Sequence, residues 1–345
     1  MYALLNEEQL ALKEAVDSLA TTVGVANPID LESREPVQGW DRLRQMGLLD
    51  LRRRDQGSPA AGGVEVMIVA QSLAAGLVPL PFVPTAVLAT ELLSLAGASE
   101  SCLDEAVGTG SKYGLLLRPD LTALSFAADW PDSLVWGGAD TRFVLALDSS
   151  GDDVRLVRYE LSAPLSNNLS VDLTQGLWLT PTATNEVVGD PISGAQLQAW
   201  TALALSTIGA DLVGIMRYAL QGAIAYSRDR VAYGQPIGTF QAIQHLAAET
   251  HVTIEAAYGA VCYAAWCVDE LDPDDALQAA RTAKAYCAAV ARTATENVMQ
   301  IYGGIGQTWE HPAHFYTRRA LLGTQLFGDE STQLAEIART RLGGI

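Results

Sequence analysis

A segment that could hold a phosphate group runs from Arg228 to Gln241 and reads Arg-Asp-Arg-Val-Ala-Tyr-Gly-Gln-Pro-Ile-Gly-Thr-Phe-Gln. Arg230 stands at the predicted end of a helix, beside a loop that contains glycine and proline. The guanidinium group offers a planar fork of donors that matches the oxygens of a pyrophosphate. A plain turn between two helices explains the same loop without any ligand, so this spacing alone leaves both interpretations open.

A second segment with similar chemistry reads Gln300-Ile-Tyr-Gly-Gly-Ile-Gly306. Its glycines, Gly303 and Gly304, allow another molecule to approach the backbone closely, and free N–H groups at such a place suit an anion. An ordinary helix C-cap is the simpler interpretation of the glycine pair, because helices often end at glycine.

The two segments, together with Thr308-Trp-Glu-His-Pro and Arg318-Arg-Ala320, resemble the signatures of the acyl-CoA dehydrogenase family. The resemblance covers essentially the whole chain and is strongest from 200 to 330. It implies FAD as the cofactor and acyl-CoA as the substrate. It also implies which residues face the flavin. In the first segment Arg230 would lie at the pyrophosphate, Tyr233 on the adenosine side and Gln241 at the start of the next helix. In the second segment Gln300 and Gly304, with Gly303 beside them, would contact the flavin of a neighbouring subunit.

The catalytic base of the family is missing from both of its usual positions. An ungapped register puts Phe327 where the commonest members carry a glutamate, although the following Gly328 fits. Other members carry the base on the first helix of the bundle, where this chain has Trp-Thr-Ala-Leu-Ala-Leu at 200–205 and no Asp or Glu between Pro191 and Ala210. Proton abstraction needs a positioned carboxylate. No catalytic residue is therefore predicted in this chain.

The part of the chain that would hold the flavin ring also departs from the family. Members with a complete cradle carry a loop of the type Thr-Glu-Pro…Gly-Ser-Asp and then a Trp-Ile-Thr/Ser strand, and neither occurs between 105 and 180. Gly108-Thr-Gly-Ser111 and Gly176-Leu-Trp-Leu-Thr180 are faint echoes of these. Trp178 is predicted to pack in the core rather than to stack on a ring.

These departures predict a subunit of a heteromeric FAD-dependent acyl-CoA dehydrogenase, most simply an α2β2 heterotetramer with FAD at the interface. A homologous α-type subunit would supply the catalytic glutamate, the ring cradle and most of the acyl-CoA pocket. Resemblance to heteromeric bacterial members suggests bulky acyl groups such as steroid side-chain thioesters, with electron-transfer flavoprotein as an acceptor. Two alternatives stay open: a homomeric dehydrogenase with Asp329 or Glu330 as the base, and a structural or binding protein without redox chemistry.

The elements that must position these residues follow the order helices, strands, helices. The predicted fold class is α+β, mainly α, with an N-terminal helical domain over 1–104, a small middle β domain over 105–192 and a C-terminal four-helix bundle over 193–345. A helix start is predicted at Asn6 and another at Asp272-Pro273. Hydrophobic periodicity predicts helices near 37–49, 64–75, 85–95, 197–228, 239–270, 273–301 and 321–342, and strands near 113–117, 143–147, 154–159 and 177–179.

Composition narrows the range of partners. The formal net charge of −18 disfavours nucleic acid and anionic membrane surfaces, which need a basic patch. The start of the chain lacks the features of a secretory signal, and polar residues and prolines interrupt the apolar stretch 64–87, so no membrane span is predicted. The four cysteines and four histidines lack metal or disulfide spacing, which predicts no metal site and a reducing cytoplasmic compartment.

Overall fold

The computed structural model describes residues 5–27, 31, 36–108, 112–150 and 153–343. Its elements follow the predicted order of helices, a mixed sheet and a second set of helices, so the mainly helical α+β class is confirmed. The domain borders at 104/105 and 192/193 stay predictions. In the echo Gly108-Thr-Gly-Ser111, residues 109–111 lie outside the described residues.

The N-terminal part is helical, as predicted. The side chain of Asn6 accepts a hydrogen bond from the N–H of Gln9 at 2.8 Å and so caps the first helix where the sequence places its start. A small hairpin of β1 (Arg54–Asp55) and β2 (Ser58–Pro59) interrupts the helices, and a π-helical segment (Phe82–Ala89) leads into the fourth of them. The helices are α1 (Glu7–Val23), α2 (Pro36–Gln45), α3 (Gly63–Ala75), α4 (Thr90–Leu95) and α5 (Glu100–Ala106).

The middle part forms a six-stranded sheet with the order β7-β4-β3-β5-β6-β8, in which only the β3–β5 pair is parallel. All four predicted strands are present, but two more were missed. One of them, β8, is an edge strand of mostly exposed residues, so it lacks the apolar alternation that signals a half-buried strand. The strands are β3 (Tyr113–Leu117), β4 (Leu134–Trp136), β5 (Phe143–Ser150), β6 (Asp153–Leu161), β7 (Leu177–Leu179) and β8 (Ala183–Ile192).

Three long helices and two short ones build the C-terminal part. The predicted single helix over 321–342 is wrong, because the chain turns sharply between its two halves. Phe327 and Gly328 have φ angles of 57° and 88°, which no α-helix accommodates, and Asp329 then caps a new helix. The helices are α6 (Gly194–Asp229), α7 (Gln241–Glu270), α8 (Pro273–Tyr302), α9 (Ala313–Gln325) and α10 (Glu330–Leu342).

The central helix α6 carries most of the core of the bundle. A Cβ at Gly214 would lie 2.3 Å from the carbonyl oxygen of Gln71, so the glycine allows α6 to pack closely on α3. This helix is long and apolar enough to cross a membrane, yet 89% of its most apolar 18-residue window is buried inside the structure. Its apolar character is therefore accounted for by packing within the chain.

Candidate functional site

The predicted phosphate-binding segment forms a short hairpin at the C-terminal end of α6. Arg230 is the residue at which α6 ends, and its N–H donates to the carbonyl of Tyr226 at 2.9 Å. Strands β9 (Val231–Ala232) and β10 (Gln235–Pro236) follow, with Tyr233 at their turn. The side chain of Arg230 is exposed, and no residue in the described part of the chain accepts a hydrogen bond from it.

Tyr233 projects into solvent from this turn. Its side chain is 96% exposed, and its only ring neighbour among the described residues is Phe240, at 6.3 Å between ring centroids. The backbone of Tyr233 has a φ of 53°, a conformation that a non-glycine residue adopts only at a cost. Gln241, the first residue of α7, is exposed as well. The hairpin thus presents polar and aromatic groups that the chain itself does not use.

The second predicted segment begins in the last turn of α8. Gly303 ends the helix with a φ of 65° and donates its N–H to the carbonyls of Gln300 and Met299, so the helix-cap interpretation of this glycine is correct. Gly304 is different, because it lacks a positive φ and a Cβ added there would meet nothing within 4 Å. The chain itself therefore gives no packing reason for a glycine at 304. Gln300, Gly303 and Gly304 are all exposed.

Contact between two tyrosines places both segments at the same end of the bundle. The rings of Tyr226, one turn before Arg230, and Tyr302, next to Gly303, lie 5.0 Å apart. Gly222 makes this approach possible, since a Cβ there would lie 2.7 Å from the phenolic oxygen of Tyr302. The contact thus joins the two elements that carry the predicted flavin-facing residues, all of which are exposed.

The position where the resemblance places the catalytic base is filled by aromatic rings. Phe327 is 3% exposed, and its ring centroid lies 5.6 Å from that of Trp200 and 6.3 Å from that of Trp136. Trp200 begins the α6 stretch at which other family members carry their base. The start of that stretch therefore lies against Phe327, and neither Phe327 nor the stretch 200–205 carries a carboxylate.

Hydrogen bonds hold the turn around Phe327 from several sides. The N–H of Phe327 donates to the carbonyl of Leu121 at 2.7 Å. The ammonium of Lys284, fully buried on α8, donates to the carbonyls of Thr324 and Gly328 at 2.9 and 2.7 Å. Burial lowers the pKa of Lys284 to about 7. A left-handed phenylalanine is strained, so this turn persists because its surroundings fix it.

Neither acid after Phe327 points toward the filled position. The carboxylate of Asp329 accepts hydrogen bonds from the N–H and hydroxyl of Thr332 at 2.9 and 2.8 Å, and so caps α10. These bonds lower the pKa of Asp329, which makes it a weaker base. Glu330 is exposed in the first turn of α10. Neither acid is therefore placed to act as a base beside Phe327.

A buried polar cluster lies beside Trp136. Arg319 on α9 pairs with Asp211 on α6 and also donates to the hydroxyl of Thr174 at 3.0 Å. Asp172 is 0% exposed, its Oδ1 accepts two bonds from Thr174, and its Oδ2 has no hydrogen-bond partner among the described residues. Burial raises the pKa of the Asp172 carboxyl to about 6. The cavity next to these groups measures about 10 Å³, room for no more than one water molecule.

Sequence reasoning missed this cluster and Lys284. One signal was available: Asp211 is a lone acid inside an apolar stretch of α6, and such an acid is almost never buried without a partner. Its partner Arg319 lies 108 residues later, however, and no local pattern links the two. Trp178 is partly buried and packs against an apolar cluster on the sheet, and its indole N–H donates to the carbonyl of Gly137 at 3.0 Å. No group of three or more metal-ligating side chains occurs among the described residues.

Comparison with known proteins decides the family. The family model described as "Acyl-CoA dehydrogenase, C-terminal domain" matches residues 204–342. The acyl-CoA dehydrogenase IpdE2 of Mycobacterium tuberculosis is 32% identical over 330 residues, which cover 93% of each protein. The chain belongs to the acyl-CoA dehydrogenase family. Members of this family are flavin-dependent oxidoreductases.

Two further similarities agree with this assignment. The acyl-CoA dehydrogenase FadE34 of Mycobacterium tuberculosis is 28% identical over 93% of this chain, but the chain spans only 46% of that relative. A variant of the Tcur3481-Tcur3483 steroid ACAD has the same fold, with a TM-score of 0.80, 21% identity and 98% coverage of both chains. The helical, β and helical layout is thus that of the acyl-CoA dehydrogenases.

The residues of this chain fit one end of FAD and not the other. The exposed Arg230, Gln300 and open Gly304 provide donors and a close backbone approach for a pyrophosphate and its adenosine. At the centre, the space around Phe327 is taken by the rings of Trp200 and Trp136, and the cavity of about 10 Å³ that Trp136 helps to line has room for no more than one water molecule. The exposed residues at this end therefore fit the outer half of FAD.

Proposed function

We propose that this chain is a subunit of a heteromeric FAD-dependent acyl-CoA dehydrogenase and that it lends residues to a flavin held mainly by a partner. The observation that carries the proposal is the packing of Phe327 against Trp200 and Trp136, with ring centroids 5.6 and 6.3 Å apart. Phe327 stands where the commonest members carry their base, and the second location, 200–205, begins with Trp200 and contains no carboxylate. A chain built in this way has neither the carboxylate nor the space for the reaction.

The opposite end of the bundle supports the second half of the proposal. Arg230, Tyr233 and Gln300 are exposed, and Gly304 has open space above it. Charged and aromatic side chains that lie unused at a family signature suit a ligand held between two chains. Arg230 would bind the pyrophosphate as a bidentate donor, Tyr233 would contact the adenosine, and the N–H groups near Gly304 would approach the same ligand.

The roles divide between two chains in this proposal. When bound, FAD accepts the hydride from the β-carbon of the acyl thioester. A homologous α-type subunit supplies the carboxylate that removes the α-proton, and an α2β2 heterotetramer is the simplest assembly. This chain orients the outer half of the cofactor and closes its own centre against water. The proposal includes an electron-transfer flavoprotein as the electron acceptor. It also includes a cytoplasmic location, since the four free cysteines fit a reducing compartment.

The proposed substrates are acyl-CoA thioesters with bulky acyl groups, such as steroid side chains. The fold neighbour Tcur3481-Tcur3483 is described as a steroid ACAD, and its hyphenated name carries two components. In such a heteromer the centre of this chain is filled and takes no substrate. The room that a second substrate would occupy is then free for a larger acyl group, and this favours bulky substrates.

A homomeric dehydrogenase with a displaced base is the competing candidate, and Asp329 is its best base. The carboxylate of Asp329 already accepts two hydrogen bonds from Thr332, which lower its pKa. Proton abstraction from a weakly acidic carbon needs a more basic, freely positioned carboxylate. The geometry therefore favours the heteromeric proposal.

The test is to purify the chain alone and together with a family chain that carries a glutamate at the position of Phe327. We expect the lone chain to contain little or no FAD and to show no dehydrogenation. The complex should contain FAD and bleach on addition of a steroid acyl-CoA. Stoichiometric FAD in the lone chain, with bleaching by substrate, would overturn the proposal and favour the homomeric enzyme.

A further inference from the structure

A short loop that leads into β7 is closed by hydrogen bonds between its two ends. The N–H of Leu169 donates to the carbonyl of Leu177 at 2.7 Å, and the N–H of Leu177 donates to the side chain of Asn168 at 3.1 Å. We call residues 169–177 the anchor loop. Because these bonds join its ends, the loop can move away from the rest of the chain without pulling β7 out of the sheet.

Polar contacts hold the anchor loop against the chain. The hydroxyl of Thr174 accepts a bond from the buried Arg319 at 3.0 Å, and the indole N–H of Trp136 donates to the side chain of Gln175 at 3.2 Å. Apolar burial contributes less, because the three apolar side chains in the first half of the loop are exposed: Leu169, Val171 and Leu173. The attachment of the loop therefore depends on a few polar groups.

The buried side of the loop carries an unbalanced charge. Arg319 donates to both carboxylate oxygens of Asp211 and so neutralises it. Asp172 is a second carboxyl of the same cluster; it is fully buried, and within the described part of the chain its Oδ2 accepts no hydrogen bond. Two carboxylates thus share one guanidinium. When Asp172 is ionised, one buried negative charge is left uncompensated, which is costly away from water.

Ionisation of Asp172 therefore works against its burial. Desolvation raises the pKa of this carboxyl from 3.8 to about 6; the charge of Arg319 and two bonds from Thr174 lower it without outweighing the burial. The nearby Asp211 adds to the increase. Tyr316 also lies near Arg319, and it stays neutral because burial raises its pKa.

We propose that the anchor loop is a pH-sensitive element, which opens as a unit when Asp172 ionises and closes when Asp172 takes up a proton. In the open form the carboxylate reaches water, and Arg319 keeps its pair with Asp211. Opening also frees the indole N–H of Trp136, whose ring packs against Phe327 at 6.3 Å. The loop thus links the protonation of one carboxyl to the packing at the centre. The inference stands apart from the proposed function, because all these groups belong to this chain.

Charged groups on the outer side of the loop act in the opposite direction. Arg318 donates to the carbonyl of Val171 at 3.4 Å and to Nδ1 of His314 at 3.3 Å. Protonation of His314 at low pH removes this acceptor, so a rise in pH strengthens the position of Arg318 against the loop. Opening that increases with pH therefore identifies Asp172 rather than His314 as the controlling group.

The test is hydrogen–deuterium exchange of the full chain between pH 5 and pH 7.5, with each rate corrected for the intrinsic effect of pH. We expect the corrected exchange of 169–177 to increase roughly tenfold over this range, because the carboxyl has a pKa of about 6 in the closed loop and an ordinary value of 3.8 in water. The hairpin 231–236 contains no carboxyl side chain and should show no change. Asp172→Asn, which keeps an acceptor oxygen for Thr174, should make exchange of the loop independent of pH.

Three outcomes would overturn the inference. If the corrected exchange of the wild-type loop does not change with pH, the loop stays closed over an ionised Asp172. If Asp172→Asn retains the increase, another group controls the loop. If exchange increases in parallel throughout the chain, the fold opens globally and the loop is not a separate element.

Discussion

Two aromatic residues show how differently the two ends of this molecule are used. Phe327 and Tyr233 share a left-handed backbone, with φ angles of 57° and 53°. Phe327 is 3% exposed and packs on two tryptophans, whereas Tyr233 is 96% exposed. Strained backbone is retained where surrounding structure or function requires it. At Phe327 the packed core fixes this conformation, and at Tyr233 the two-residue hairpin turn Tyr233-Gly234, with φ angles of 53° and 81°, requires it and leaves the ring exposed.

The largest expected effect is a difference in the free energy of unfolding between variants of these two residues. Phe327→Ala removes a buried ring from between Trp136 and Trp200 and should lower the free energy of unfolding by about 3–5 kcal/mol. Tyr233→Ala should change it by no more than about 0.5 kcal/mol, because its ring makes few contacts in the lone chain. Denaturant unfolding of both variants checks this. Equal losses would mean that the hairpin belongs to the core and that the contrast is mistaken.

Next in size is the pH dependence that Asp172 contributes. Its folded pKa of about 6 lies above the ordinary value of 3.8, so the folded chain binds this proton more tightly than the unfolded chain does. Stability from this group is therefore present at low pH and is lost as pH rises toward 6. The loss amounts to about 3 kcal/mol.

Asp172→Asn should remove this dependence of the unfolding free energy on pH. The difference in unfolding free energy between variant and wild type should grow in favour of the variant from pH 4 to pH 7, as measured in denaturant at each pH. Asp132→Asn, at an exposed acid, provides the control and should follow the wild type. A parallel course for wild type and Asp172→Asn would show that water reaches the Asp172 carboxylate.

The smallest effect is expected at Asp329. Loss of its cap on α10 in Asp329→Ala should cost about 1 kcal/mol of stability. The turnover rate of the assembled complex should stay within a few-fold, whereas removal of a general base lowers rates roughly 10²–10⁴-fold. A steady-state assay of the complex distinguishes these outcomes. A loss in the larger range would identify Asp329 as the base and favour the homomeric alternative.

The sequence makes a more specific prediction for the proposed flavin-facing end than for the centre, for physical reasons. Arg230, Gln300 and Gly304 lie in short signatures whose residue order carries the information. The sequence predicts that the turn at Phe327 belongs to one helix, because the apolar residues before and after it in the sequence continue the helical period. The following Gly328-Asp329 pair, a left-handed glycine before a cap, was the signal that could have corrected this.

Long-range partners account for most of what the sequence did not show. The ammonium of Lys284 binds the carbonyl of Gly328, 44 residues later, and Arg319 pairs with Asp211 across 108 residues.

The central claim is that this chain contributes to a flavin that it does not hold alone, and Arg230 tests it most directly. In a complex of mutated chain and unaltered partner, Arg230→Ala removes a charge-assisted contact of about 1.5–3 kcal/mol. FAD retention should fall roughly ten- to a hundredfold. Gln300→Ala should act in the same direction but more weakly, as a neutral donor.

The matched control is Arg228→Ala, an exposed arginine in the last turn of the same helix, which should retain the flavin. The measurement is the FAD content of each purified complex, read from flavin absorbance at equal protein concentration. Loss of FAD with Arg230→Ala alone is the result that we predict. Equal FAD in the wild-type, Arg228→Ala and Arg230→Ala complexes would contradict it, and the hairpin would then be only a turn between two helices.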